Sequence, residues 1–225
     1  MLEKMSDFFT SRVEGYDKHM LNDVPGCREG YARMAELLPD DAEALLDLGC
    51  GTGLELDEIF RKYPDIKVTG IDLTSAMLDK LGEKHPDRNL VLVHASYFDY
   101  DFGNEQFDTV ISFQTMHHFS HEEKTGLYKR ICQALKPGGK YIECDYMVLN
   151  QEEEDFYFTE NARARKELDI AEEDFYHFDT PCTVDNQIMM FKKAGFEKSE
   201  MVWRLENTTI IVSEKKGEYK SDGKR

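Results

Sequence analysis

The heptapeptide Asp47-Leu48-Gly49-Cys50-Gly51-Thr52-Gly53 follows the apolar run Ala44-Leu45-Leu46. Glycines at alternate positions between a strand and a helix let a backbone come close to a nucleotide-like ligand. A dinucleotide turn carries the spacing G-x-G-x-x-G, with the pyrophosphate on the helix N-terminus. Here the spacing is G-x-G-x-G, and the G-K-[ST] ending of a phosphate loop is absent. Asp72 stands 19 residues beyond Gly53, at the end of the next apolar run. A carboxylate at that place accepts both hydroxyls of a ribose, so the ligand expected is one that carries a ribose. A second chemically able group is FQTMHHFSH, residues 113–121. His117 and His121 are four apart, the spacing of two metal ligands on one helix. Ser120, however, opens a capping-box pattern with Glu123, which leaves His117 outside the helix, and no bound metal is expected. A neutral imidazole ahead of a helix N-terminus, as at His117, can accept a proton near neutral pH.

These residues need a scaffold, and the chain supplies one in alternation. Strands are expected at 43–49, 66–72, 90–95, 107–114 and 141–146. Helices are expected over 54–62, from Thr74 as cap through Leu81, and from Ser120 to Lys136 before Pro137-Gly138-Gly139. A further helix opens at Thr183 and ends at Gly195, and strands at 197–205 and 208–213 form a hairpin around Glu206-Asn207. Strands alternating with helices give βαβ units and a parallel sheet. Upstream, residues 27–38 carry apolar side chains at helical spacing. Residues 151–180 break the rhythm: they hold eleven acidic and three basic residues, yet also Phe156, Tyr157, Phe158, Phe175, Tyr176 and Phe178. Charge with that many aromatics reads as a helical insertion packing over something, not as a linker.

At 225 residues and 40% apolar content the chain suits one domain, over 1–214, with the insertion at about 147–182. The polar residues 215–225 are expected to be disordered. A net charge of -17 repels polyanions, which disfavours nucleic acid or an anionic membrane as partner and leaves small molecules. The five cysteines show no C-x-x-C pair, and MLEKMSDFFTSR lacks the apolar stretch of a signal peptide, so a reducing cytoplasm is the expected location.

With these three motifs in order, (D/E)-x-G-x-G-x-G at 47–53, an acid closing the second strand at Asp72 and LKPGG at 135–139, the chain resembles the class I S-adenosylmethionine-dependent methyltransferases over about 43–146, more weakly to 213. The resemblance implies an α/β, doubly wound, Rossmann-like sheet of seven strands with the last antiparallel, N-terminal helices and a helical lid, and S-adenosylmethionine as cofactor. It implies that Gly49, Gly51 and Gly53 admit the methionine part, that Asp47 meets its ammonium and that Asp72 holds the ribose. Leu73 and Met77 would flank the adenine, Ala95, Ser96 and Tyr97 would line its far edge, and Gln114 and His118 would complete the cofactor's surroundings, His118 either by contact or by packing. Tyr16 resembles a tyrosine that folds over the cofactor's carboxylate. His117 and Tyr146, the latter at the end of the fifth strand, are the expected contacts to the methyl acceptor. One departure is that His94-Ala95-Ser96 stands where many members carry an Asp for the adenine amine.

The expected activity is methyl transfer to a small molecule, with the acidic, aromatic insertion favouring an amine or other cationic acceptor. Displacement at a sulfonium methyl needs mainly alignment, worth roughly 7–11 kcal/mol, so strong catalytic motifs are not required. A nicotinamide-dependent oxidoreductase would share the fold and Asp72 but not the glycine spacing. A cofactor-binding regulatory protein stays open, as do the methylated atom and the oligomeric state.

Overall fold

The computed structural model describes residues 2–171 and 174–217. Its sheet runs β3-β2-β1-β4-β5-β8-β7, with β1 Ala44–Leu48, β2 Lys67–Asp72, β3 Leu90–His94, β4 Phe107–Phe113, β5 Leu135–Val148, β7 Lys198–Leu205 and β8 Thr208–Glu214. All pairings from β3 to β5 are parallel, and β8 enters antiparallel to both β5 and β7. These are the seven strands and the antiparallel closure expected from the sequence. A two-residue strand, β6 Cys182–Thr183, adds itself to the end of β5 at Met147 and Val148. The order reverses between β1 and β4, and at such a switch point the carboxyl ends of the strands open a crevice.

Helices cover both faces, so successive strand residues are buried in opposite directions. Leu45, Ile111, Ile142 and Ile210 pack toward α3 Cys27–Leu37, α4 Leu54–Lys62 and α5 Ser75–Lys84, through Met34, Ile59 and Leu81. Leu46, Val110, Tyr141 and Ile211 pack toward α6 His121–Ala134 and α8 Val184–Ala194, through Leu127, Ile131 and Phe191. Burial on both faces is why these strands read as continuous apolar runs.

Helix ends follow the sequence signals with two differences. Ser120 and Glu123 form the full capping box, Thr183 accepts from the Asn186 N–H, and Gly195 ends α8 at φ +105°. Helix α6 stops at Ala134 rather than Lys136, because from Leu135 onward the backbone pairs with β4. Thr74 stands at the start of α5, but its side chain makes no capping bond; Asp72 Oδ1 takes the Thr74 N–H instead, at 2.8 Å.

The insertion begins with α7 Gln151–Glu167, capped by Asn150, which accepts from Glu153 N at 3.0 Å. The chain then returns across the crevice, where it meets α1 Met5–Thr10 and the residues before it; α2 Val13–Asn22 follows. Met5 N donates to Phe175 O and His177 N to Glu3 O, both at 3.0 Å, with an antiparallel bridge between Lys4 and Tyr176. Lys215 is tied down by Gly139 O and Leu135 O; residues 218–225 of the tail expected to be disordered lie outside the described residues. Among the described residues no helix is long and apolar enough to cross a membrane.

Candidate active site

Two cavities meet at the carboxyl ends of the strands. The first, about 60 Å³, is narrow and lies on the glycine turn. Gly49 and Gly51 form part of its floor, and their amides and neighbours are held by the sheet: Gly49 N and Cys50 N both donate to Ile71 O. Gly49 has φ +71°, and a Cβ there would stand 2.6 Å from Thr115 Oγ1, so only glycine fits. Asp72 lines the same cavity with its carboxylate fixed by the Gly51 N–H (2.9 Å) and the Thr74 N–H. Each oxygen keeps a lone pair for a further donor, which is what a ribose diol requires. Leu73, Met77, Ala95, Ser96 and Tyr97 form a wall of the same cavity.

Behind this wall Asp47 is fully buried, and neither carboxylate oxygen accepts a hydrogen bond. Burial and the neighbouring charge of Glu55 push its carboxyl well above the usual range, and burial lifts Glu55 to about 7. An unpartnered buried carboxylate is costly unless a donor or cation meets it. An ammonium group is such a partner, and the donor set of Asp47, Asp72 and the glycine amides therefore fits S-adenosylmethionine.

Gly53 is placed differently from its two companions. It caps α4 at φ +74° and is not on the cavity wall; a Cβ there would lie 2.3 Å from Leu81 Cδ1. Its role is to let α4 and α5 approach, not to admit a ligand.

The second cavity, about 770 Å³, opens beside the first and shares Phe9, Tyr16 and Gln114 with it. Tyr16 is thus at the junction, and burial raises its hydroxyl's pKa, keeping it a neutral donor. His117, His118 and Tyr146 all lie on the second cavity. His118, expected beside the cofactor, does not line the first cavity, because the short 3-10 turn Met116–His118 carries it toward the insertion. His117 is buried, and its Nδ1 is bonded to the Asp145 carboxylate, which leaves Nε2 on the cavity side. Burial alone would depress His117, but the charges of Asp145 and Asp179 outweigh it and raise its pKa. Burial and the adjacent His117 push His118 well below its ordinary value. Tyr146 shares a 2.9 Å hydroxyl contact with Tyr157 of α7. Beyond Tyr146 and Asn207 lies an outer depression walled by Glu152, Glu153, Phe156 and Tyr157.

Sequence reasoning missed several members. Phe9, Phe98, Phe119 and Phe175 close the narrow cavity, and His19, His177 and Asp179 join the wide one. Only YHFDT at 176–180 carried a signal for the latter, as polar residues set inside an aromatic run.

Residues 45–139 match the model of the methyltransferase domain family. A carboxy-S-adenosyl-L-methionine synthase from Nautilia profundicola is 23% identical over 94% of this chain and 95% of its own length. A phosphoethanolamine N-methyltransferase from Plasmodium falciparum is 26% identical over 69% of this chain and 58% of its own. Human N-acetylserotonin methyltransferase, solved in complex with S-adenosylmethionine, superposes with a TM-score of 0.63 at 17% identity, over 93% of this chain and 55% of that one. The chain thus spans little more than half the length of the last two. Glycine turn, sheet order and the methyltransferase-domain match over residues 45–139 together support a class I S-adenosylmethionine-dependent methyltransferase.

Proposed function

We propose that this enzyme methylates a small cationic molecule, an amine or a compound with an amine handle, whose reacting atom sits in the wide cavity. The observation that carries this reading is the order of the three spaces. An acidic and aromatic vestibule of Glu152, Glu153, Phe156 and Tyr157 adjoins the cavity of His117 and Tyr146, which adjoins the glycine-turn cavity. Acidic side chains concentrate a cation at the entrance, and ring faces attract it. The likeness to a phosphoethanolamine N-methyltransferase supports an amine-bearing acceptor.

In this reading Asp72 binds the cofactor's ribose, Asp47 neutralises its ammonium and Gly49 and Gly51 allow the backbone contact. Leu73, Met77, Ala95, Ser96 and Tyr97 hold the adenine. When bound, the cofactor supplies an electrophilic methyl on a sulfonium, whose charge disappears on transfer. The protein's part is chiefly alignment. Tyr16 and Gln114, on the wall common to both cavities, separate and orient the two reactants. His117 and Tyr146 are the acceptor's polar contacts. The single-domain reading over 1–214 goes with this assignment, the insertion serving as a lid.

Calorimetric titration with S-adenosylmethionine, its demethylated product and NAD tests the cofactor half; micromolar binding of the first two only, lost in Asp72→Ala, is expected. Turnover is then followed as demethylated product against a panel of amines, phenols and carboxylates. Turnover confined to anionic acceptors would overturn the cationic reading.

A further inference from the structure

We infer that His117, His118 and Asp179 form a binding site for one divalent transition-metal ion of the zinc or ferrous class, on the wall of the wide cavity. The inference goes beyond the methyltransferase reading, which needs no metal, and it departs from the expectation that FQTMHHFSH holds none; with an ion bound, the acceptor would meet His117 through the metal's open positions. The pair considered in the sequence, His117 with His121, does not form; His121 turns to Glu154 at 2.8 Å. The ligand set comes instead from His117, His118 and the returning insertion.

Asp179 Oδ1 lies 3.6 Å from His117 Nε2 and 3.5 Å from His118 Nδ1, and the three atoms fall within 4.8 Å of one another. These separations are too long for hydrogen bonds; His118 Nδ1 also lies 3.4 Å from Phe178 O, a long contact that ligation would displace. The separations from Asp179 match the edge between two ligands on one ion, about 3.4 Å for a tetrahedral site with bonds of about 2.1 Å. Asp179 Oδ1 is sequestered from solvent and has no hydrogen-bond partner, a cost that a cation would remove. The carboxylate is held in place by its neighbour: Thr180 N and Oγ1 both donate to His117 O, at 2.5 and 3.1 Å.

The strongest support is behind the ligands. His117 Nδ1 is bonded to the buried carboxylate of Asp145, the carboxylate–histidine arrangement that fixes the tautomer and raises the basicity of a metal-bound imidazole. Two imidazoles and one carboxylate leave coordination positions open, as catalytic sites do, and they face the wide cavity. His177 stands next to this set, with its ring 5.0 Å from that of His118. In the other cluster of ligand types, His121, Glu154 and Cys182, two of the three groups already have donors: Lys124 Nζ donates to Cys182 Sγ at 2.7 Å, and Thr183 N and Asn186 Nδ2 donate to Glu154.

The test uses the full chain, dialysed against a chelator and titrated calorimetrically with zinc, cobalt(II) and, anaerobically, ferrous ion. One ion per chain at micromolar affinity or tighter is expected, with the visible spectrum of four- or five-coordinate cobalt. Asp179→Ala and His118→Ala should weaken binding by about 100-fold or more, and Asp145→Asn by about 10–100-fold. Thermal melts and S-adenosylmethionine titration on the same variants show that they are folded. Should Asp179→Ala not fold, Asp179→Asn with the cobalt spectrum serves in its place. Absence of stoichiometric binding by all three ions, or binding that survives loss of Asp179 and is lost in Cys182→Ser, overturns the site. Failure of the cofactor titration instead would count against the methyltransferase assignment and not against the metal.

Discussion

The narrow cavity rests on a backbone floor, whereas the wide one is lined by side chains from many elements, and the two follow different rules. At the first, the glycine turn is positioned by backbone bonds from Gly49 N and Cys50 N to Ile71 O, and the Gly51 amide by the Asp72 carboxylate at the end of β2. At the second, the 3-10 turn, the end of β5, the first two helices, the loop at 177–179 and the β7–β8 connection all send in side chains. On the proposed assignment, a cofactor common to many proteins is met by the part closest to the sheet, and a particular acceptor by the more variable part.

Five tests would break or sharpen that contrast. The largest effects are expected at the two centres. Asp72→Ala removes the charge-assisted acceptor and the anchor of Gly51; at about 1.5–3 kcal/mol per such bond, cofactor affinity should fall by about 100-fold or more. His117→Ala should do the reverse, lowering kcat by about 100-fold with the cofactor Kd unchanged in the same titration. A joint loss of both quantities in either variant would mean that the cavities are one unit.

Gly53→Ala tests the scaffold between them. Left-handed strain and the clash with Leu81 should cost about 2–4 kcal/mol of stability, read by chemical denaturation, while the folded fraction binds cofactor normally.

A pH effect comes next. Glu55, with an ordinary carboxyl value of 4.5, is lifted to about 7 by burial beside Asp47, so the ligand-free folded state holds a proton that the unfolded chain gives up. Its stability should therefore fall as pH rises from about 4.5 to about 7. A cation arriving at Asp47 lowers both carboxyls, so cofactor binding near pH 6.5 should release protons, measurable as buffer-dependent heat; Asp47→Asn should abolish the dependence. The smallest effect belongs to the vestibule: Glu152→Gln with Glu153→Gln should raise KM for a cationic acceptor severalfold without changing kcat, and added salt should shrink the difference.

The narrow cavity was legible in the sequence because its determinants are local. Spacing around Gly49 and Gly51, and the position of Asp72 at a strand end, survive translation into structure almost unchanged. Gly53 was legible as a glycine, but its reason, the approach of Leu81, depends on a contact between helices that spacing does not encode. Strand order and capping were likewise readable at Ser120, Thr183 and Gly195. The wide cavity was half legible. His117 and Tyr146 could be placed because each follows a strand, whereas Asp179 and His177 reach it along a returning loop whose path no periodicity describes. The aromatic lining by Phe9 and Phe175 was hidden for the same reason.

The bridge between Lys4 and Tyr176, with its flanking hydrogen bonds at Glu3 and Met5, joins the start of the chain to the far end of the insertion directly over the narrow cavity. Under the proposed reading of the insertion as a lid, these two segments part together before a spent cofactor leaves. Turnover should then be paced by departure and not by the methyl's passage, with a burst of product in the first cycle and a rate sensitive to solvent viscosity. Trimming the first few residues would speed the exchange of cofactor while loosening its grip.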